Sequence, residues 1–254
     1  VVVGLDTFAI GTKVQVMVEQ PKFYYRVVPL VLEKIADGIG DHLRKARYYV
    51  SDRPKAGFAL HPAFISAGEE LDALYLSAYE GSLYDESTAS YILDDAQVAD
   101  FATDRLSSIA GVKPISGLTQ NLSRANARLL AQKRGEGWQQ QYSATAALTQ
   151  LLMLIEYNTF NMQTALGAGV TGKADGTGNE SEPTGATALL GNNSGTAKTL
   201  NGFDAVSYRG EENPYGNIFK FVDGLNVMAN GIHQAYIADN AFADSKKEIG
   251  RAHV

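Results

Sequence analysis

The chain has 254 residues, with 22 Lys plus Arg against 28 Asp plus Glu, and so a formal charge of −6. It has no cysteine, which excludes disulfides, thiolate metal sites and cysteine nucleophiles. No Lys/Arg stripe is present to replace counterions on a phosphate backbone, and no uninterrupted apolar run is long enough to span a bilayer, so neither nucleic-acid binding nor membrane insertion is expected.

Val14, Val16 and Val18 alternate with polar residues and predict a half-buried strand that ends, or lies at an edge, where Pro21 removes a donor. Phe23 to Val28 is an aromatic and β-branched run that predicts a second strand. The segment 30–43 is open to two readings, a weak helix interrupted by Gly38 and Gly40 or a long hairpin excursion. Arg47 to Ser51 reads as a strand closed by the turn residues Asp52 to Gly57. Leu71 to Tyr79 alternates again, with Leu74, Leu76 and Ala78 on one face. The polar stretch 80–109 reads as an ordered surface excursion carrying a short helix at 95–103.

Two helices are expected next. Ser123 can cap the first through its hydroxyl, with Leu122, Ala125 and Leu129 on one face, Lys133 and Arg134 in the last turn and Gly135 as the stop. The second should run from Ser143 to Leu166, because Leu148, Leu152, Ile155, Thr159, Met162 and Leu166 recur at spacings of 4, 3, 4, 3 and 4. Ala147, Leu151 and Leu154 widen that stripe, so burial on more than one side is expected. Nine of the 36 residues from Gly167 to Gly202 are glycine, which predicts a long loop with Ala188, Leu189 and Leu190 as its anchor. A block at 206–210, a turn over 211–217 and a strand over 218–222 with Phe219 and Phe221 on one face complete the pattern.

Sites of chemistry are sparse. His42, His61, His233 and His253 lack metal-ligand spacing and read as surface or turn residues. The glycines around Lys173 lack the Lys-Ser/Thr ending and strand-to-helix context of a phosphate loop. Asp175, Asn179, Glu180, Glu182, Asn192 and Asn193 are oxygen ligands of the kind calcium takes, without EF-hand spacing, so no cofactor is predicted and calcium stays a minor alternative. The adjacent acids Glu69-Glu70, Asp94-Asp95 and Glu211-Glu212 read as solvated turns. Thirteen Tyr against one Trp suit a surface that binds sugars or protein partners.

The stretch from Val16 to Tyr25 resembles the opening of a group of bacteriophage and prophage tail proteins of gut bacteria. Blocks at 57–64, 76–82, 123–126, 134–138, 154–157 and 208–224 resemble the same group in order and spacing. The block Gly216-Asn217-Ile218-Phe219 also resembles the signature of the formylglycine-generating, sulfatase-modifying fold, a variant of the C-type lectin fold, with Phe219 and Phe221 in a core role where Trp is common. That enzyme's chemistry needs active-site cysteines, so the resemblance carries over the fold and not the activity. It implies an α+β protein. An antiparallel β-rich part over residues 1–110 would precede an incomplete C-type-lectin-like domain with two helices over 111–247. Host-surface glycan or protein would be the ligand, other tail proteins the neighbours, a homotrimer the assembly and the virion tail the location. A bacterial surface adhesin or a retroelement-diversified variable protein is the alternative, and a sulfatase-modifying-type enzyme the second. Trp138, Tyr208, Glu212, Asn213 and Tyr215 are the expected contact residues. The calcium-type lectins use Glu-Pro-Asn or Gln-Pro-Asp, whereas this chain has Glu212-Asn213-Pro214. Residues 248–254 match an in-frame translation of a common sequencing adapter, so a native length of about 247 is expected; a longer genomic copy that continues with the same seven residues would refute this.

Overall fold

The computed structural model describes residues 2–3, 6–7, 12, 14–36, 38, 40–93, 98–115, 122–173, 181–230, 232–238 and 240–244. It is β-rich and antiparallel, with three short helices, and is broadly α+β. No helix among the described residues is long and apolar enough to cross a membrane.

The pair β1 (Val2–Val3) and β2 (Asp6–Thr7) opens the chain. β3 (Met17–Pro21) ends at its proline. The run after it becomes β4 (Tyr24–Lys34), which pairs with β5 (Asp41–Ser51) over its whole length, so the hairpin reading of 30–43 holds. The outer arms are exposed, and a register shift falls between Pro29 and Leu32. Pro29 cannot donate to the ladder, which accounts for the irregularity.

β6 (Ala59–Leu60) adds to β4, and a 3-10 turn, Pro62–Phe64, follows. His61 caps that turn by accepting the Ala63 N–H on Nδ1 at 3.3 Å. Its imidazole is packed between Phe23 and Tyr25, and burial pushes its pKa down to about 4. A neutral ring is what the cap needs, since the accepting nitrogen must be unprotonated. β7 (Ile65–Ser66) and β8 (Glu69–Glu70) form a small hairpin, and β9 (Ala73–Ser77) returns to pair with β3. The expected alternation holds there: Leu74 and Leu76 pack on the core while Tyr75 faces out.

The stretch 80–109 departs from its expectation as a surface excursion. β10 (Ser82–Asp85) sits between β11 (Ser90–Tyr91) and β12 (Arg105–Ser107), and Leu83, Ile92 and Ala99 form a second core with Leu130 of the next helix. Residues 98–103 are turn and coil rather than helix, and 94–97 lie outside the described residues. Asp104 explains the local shape, because its carboxylate accepts backbone N–H groups from Glu86 and Asp100 and draws the loop inward.

α1 (Arg124–Gln132) starts as expected, with the Ser123 hydroxyl accepting the Asn126 N–H at 3.2 Å. Its buried residues are Ala127, Leu130 and Ala131, while Leu129 is exposed. The face is therefore turned from the predicted one, toward β12. α2 (Ser143–Tyr157) buries Ala144, Leu148 and Leu152 with Thr145, Thr149 and Met153 beside them on one broad face; Ala147 is exposed and Leu151 and Leu154 are half-buried, so they do not widen it as expected. It ends one residue before Asn158, far short of Leu166. Asn158 takes the left-handed conformation, and its N–H closes on the Leu154 carbonyl. Asn161 then caps the short α3 (Met162–Ala165). Asn in this conformation stops a helix whatever the apolar period beyond it.

The glycine-rich loop is tied down by polar groups rather than by Leu189, which is fully exposed at the centre of a 3-10 turn. Its buried residues include Val170, Glu182, Thr184 and Thr187. The loop ends in β13 (Gly195–Lys198), which pairs with β14 (Asp204–Tyr208). A two-residue turn with positive φ at Arg209 and Gly210 leads into β15 (Glu211–Glu212).

Residues 218–222 form no strand, contrary to the prediction. Asn213, Gly216 and Asn217 all carry positive φ, and this corner turns the chain away from any sheet edge. Gly216 is required there: a Cβ would lie 3.0 Å from the Val170 backbone. Phe219 is 93% exposed and Phe221 42%, so neither takes the core role that the resemblance implies. The hairpin β16 (Leu225–Asn230) and β17 (Ile232–Ile237), which the sequence reading did not place, follows. The main core joins Phe23, Phe64, Tyr142, Leu148, Leu152, Met153 and Tyr208, and so draws on both sides of residue 110. Residues 248–254 lie outside the described residues.

Candidate functional site

The five residues expected to contact a ligand separate into two kinds. Tyr208, Glu212 and Asn213 are buried, and their polar atoms are engaged in holding the fold. The Tyr208 hydroxyl donates to Glu156 at 3.0 Å. The Glu212 carboxylate accepts from the Gly185 N–H at 2.6 Å and from the Thr187 N–H and hydroxyl, both at 2.7 Å. Asn213 exchanges bonds with Val206 and donates to Glu80. These three side chains face the interior, because a tight turn in a β-hairpin places them against α2 and the glycine-rich loop. Tyr215 is half-buried, its hydroxyl proton shared between the Gly167 carbonyl at 2.7 Å and that of Met162, the first residue of α3, at 3.1 Å. Trp138 is half-buried, and with Glu212 and Tyr215 it borders open space.

That space is a cleft of about 1360 Å³. One wall is α2 with Thr145, Thr149 and Met153, a second is β9 with Tyr75, and a third is the segment 211–222. The stretch 136–142 closes one side. Aromatic rings border the cleft, among them Trp138, Tyr75, Phe160, Phe219 and Phe221. Phe160 is 86% exposed and Tyr75 65%, which with Phe219 makes three large rings left in water around one depression. An isolated exposed ring needs no explanation, but a set of them around a concave site marks a binding surface.

Two of the polar side chains that line the same cleft, Gln140 and Glu211, have hydrogen-bonding capacity to spare. Neither amide atom of Gln140 has a hydrogen-bond partner, although both are shielded from solvent. Such a group costs about 1–3 kcal/mol for each unmet atom and calls for a reason. Glu211 accepts only from the Thr149 hydroxyl, at 3.0 and 3.3 Å to its two oxygens. Burial pushes its pKa up to about 7 against the opposing pull of Thr149 and Lys220. The pair Glu211-Glu212 is therefore not the solvated turn expected of adjacent acids. One of them is a spent structural acceptor and the other a cleft carboxyl with lone pairs to spare.

An acid whose pKa is higher in the folded chain takes up a proton on folding, so stability falls as pH rises from about 4.5 to about 7 and is level above that. E211Q stays neutral. It is expected to match the native chain near pH 4 and to exceed it by about 2–3 kcal/mol at pH 8 in urea unfolding. An equal difference at the two pH values would overturn this. His61 has the opposite sign, since its depressed pKa makes stability fall as pH drops from 6.5 toward 4. The comparison of variant with native chain removes that contribution.

Beneath the cleft lies a buried layer. Glu80 accepts from Asn213 at 3.3 Å and from Asn217 at 2.6 Å on one oxygen, and Lys220 lies 3.6 Å from the other. Burial holds Glu80 above the usual carboxylate range, opposed by Lys220, Asn217 and Asn213. Glu182 is bound by Lys173 and by Asn201 at 3.0 Å. These carboxylates have cations and amides of the chain itself as partners. Of the oxygen ligands considered for calcium, Asp175, Asn179 and Glu180 lie outside the described residues, and among the described residues no three acidic or histidine side chains gather as a metal group.

Of the five expected contact residues, Trp138, Glu212 and Tyr215 line the cleft and Tyr208 and Asn213 do not; Gln140, Glu211, Phe160 and the outward-facing Phe219 and Phe221 were not among the five. The Gly-Glu-Gly-Trp-Gln-Gln-Gln run at 135–141 carries a signal, because three amides beside an aromatic suit a binding rim. No family model matches the chain, and no curated protein matches its sequence.

Proposed function

We propose that the chain is a non-catalytic recognition protein of a bacteriophage or prophage tail, with a C-type-lectin-like latter half, and that it holds a host-surface glycan in the cleft beside Trp138. The observation that carries this reading is the set of exposed rings around a cleft whose deep amide, Gln140, is unpaired. A sugar presents an apolar face that stacks on rings and hydroxyls that both donate and accept. Gln140 can do both toward such a hydroxyl, and Glu211 can accept from it. Copies on a trimeric tail fibre would raise weak single-site affinity by about 10²–10⁴.

Trp138 is the only tryptophan, so its fluorescence reports on the cleft directly. A glycan array should give at least one bacterial surface glycan that binds and shifts that fluorescence. F219A should weaken this binding about tenfold while leaving the unfolding midpoint unchanged. An array without binding, or binding that neither perturbs Trp138 nor responds to F219A, would remove the cleft from this role. Tail genes beside the coding sequence favour this reading over a surface adhesin, and a neighbouring reverse transcriptase favours the variable binding protein.

A further inference from the structure

The segment 218–222 inverts the usual preference. In Phe219-Lys220-Phe221, burial of two rings and exposure of one ammonium would be expected from transfer free energy alone. Here all three residues line the cleft, but both rings are left exposed, whereas the lysine, itself partly exposed, bends its ammonium back toward the buried layer. Its ammonium donates to the Asn213 carbonyl and lies 3.6 Å from Glu80 Oε1, a buried oxygen with no hydrogen bond of its own. The backbone is fastened at both ends, by Ile218 N–H to the Gly216 carbonyl and by Asp223 N–H to the Gln141 carbonyl, both 2.9 Å. Between those points, among the described residues, no backbone hydrogen bond holds residues 219–222.

We propose that Lys220 is a positioning residue of the cleft, pinning the segment to the buried Glu80 and Asn213 and so fixing Phe219 and Phe221 where a ligand meets them. Of these three residues only the lysine is tied by its side chain, and the two rings flank that tie. Only a cation reaching two buried acceptors offsets the cost of leaving the rings in water. Loss of a charged hydrogen bond of this kind costs about 1.5–3 kcal/mol, which corresponds to about tenfold or more in the opening of the segment.

Limited chymotrypsin digestion of the whole chain tests this without a ligand. K220M is expected to speed cleavage at Phe219 and Phe221 about tenfold, with cleavage at the exposed Phe160 unchanged. K220R keeps the donor and is expected to behave as the native chain, and E80Q, which keeps an acceptor but no charge, to fall between. Native cleavage rates at 219 and 221 in K220M would overturn the proposal. Equal acceleration at Phe160 would do so too, by showing that the lysine holds the whole fold. A second arm rests on the glycan reading of the cleft: K220M should lose array binding about tenfold and K220R should retain it. If the native chain binds no glycan, that reading fails while the digestion still decides the role of Lys220.

Discussion

Asp223→Ala is expected to cost about 3–5 kcal/mol of stability, measured as a shift of the urea midpoint at constant slope. Asp223 is completely buried and accepts two bonds from the Arg128 guanidinium, one of them 2.9 Å, with Arg124 at 3.9 Å. Its backbone is equally engaged. The Ser143 N–H at the start of α2 donates to its carbonyl, and its own N–H donates to Gln141, each at 2.9 Å. Arg124 also donates to the Leu225 carbonyl at 2.8 Å, and both arginines reach Asp244. One aspartate therefore joins α1, the first turn of α2 and the hairpin of β16 and β17. Truncation takes from the Arg128 guanidinium the buried carboxylate it bonds twice and leaves it only Asp244, which it shares with Arg124. Much of the cost is that unpaired charge rather than the worth of the pair. R128M in the D223A background should then cost far less than R128M alone, and the cycle should give a coupling of about 2 kcal/mol or more. A D223A loss below 1 kcal/mol would mean that water relieves the arginines and that the junction is not held electrostatically.

Glu212→Ala is expected to cost about 2–4 kcal/mol and to release the glycine-rich loop. Three donors converge on this carboxylate, two of them backbone N–H groups of Gly185 and Thr187. The loop at that point lies against 109–112, where the Gly111 N–H donates to Thr184 and the Thr184 N–H to Val112. No apolar side chain takes over if the carboxylate is lost, because Leu189 points into solvent. Hydrogen exchange should show the amides of Gly185 and Thr187 losing protection while those of α2 keep theirs. E212Q retains one oxygen and should lie between. Uniform loss of protection across both elements would show that the loop and the core unfold as one unit.

The parts of this fold that could be read from the chain are those set by neighbours in sequence. Ser123 caps α1 because its hydroxyl needs only an N–H three residues on. The alternation around Leu74 and Leu76 marks β9 because period two is a property of the strand itself. Where local signals compete, the shorter range wins. Asn158 stops α2 although the apolar stripe continues to Leu166, since a left-handed residue and a capping side chain act within one turn. That stop was legible in Asn158, Thr159 and Asn161, and the stripe concealed it.

The site was much less legible. Trp138 was reachable as a lone tryptophan among amides. Gln140 and Glu211 matter only because β15, α2 and the stretch 136–142 meet around one cleft. The resemblance implied a core role for Phe219 and Phe221, and their position depends on two acceptors of Lys220, Glu80 and Asn213, of which one is 140 positions from Lys220.

Residue order and type alone settle the capped start of α1, the presence of a second helix from Ser143, the alternation of β9 and the lack of any thiol chemistry. Tertiary structure decides which carboxylates are buried, which rings face water and where the glycine-rich loop is fastened. The physical reason is the range of the forces: caps and periodicity act within a turn, whereas burial and charge pairing depend on groups that only the folded chain brings together.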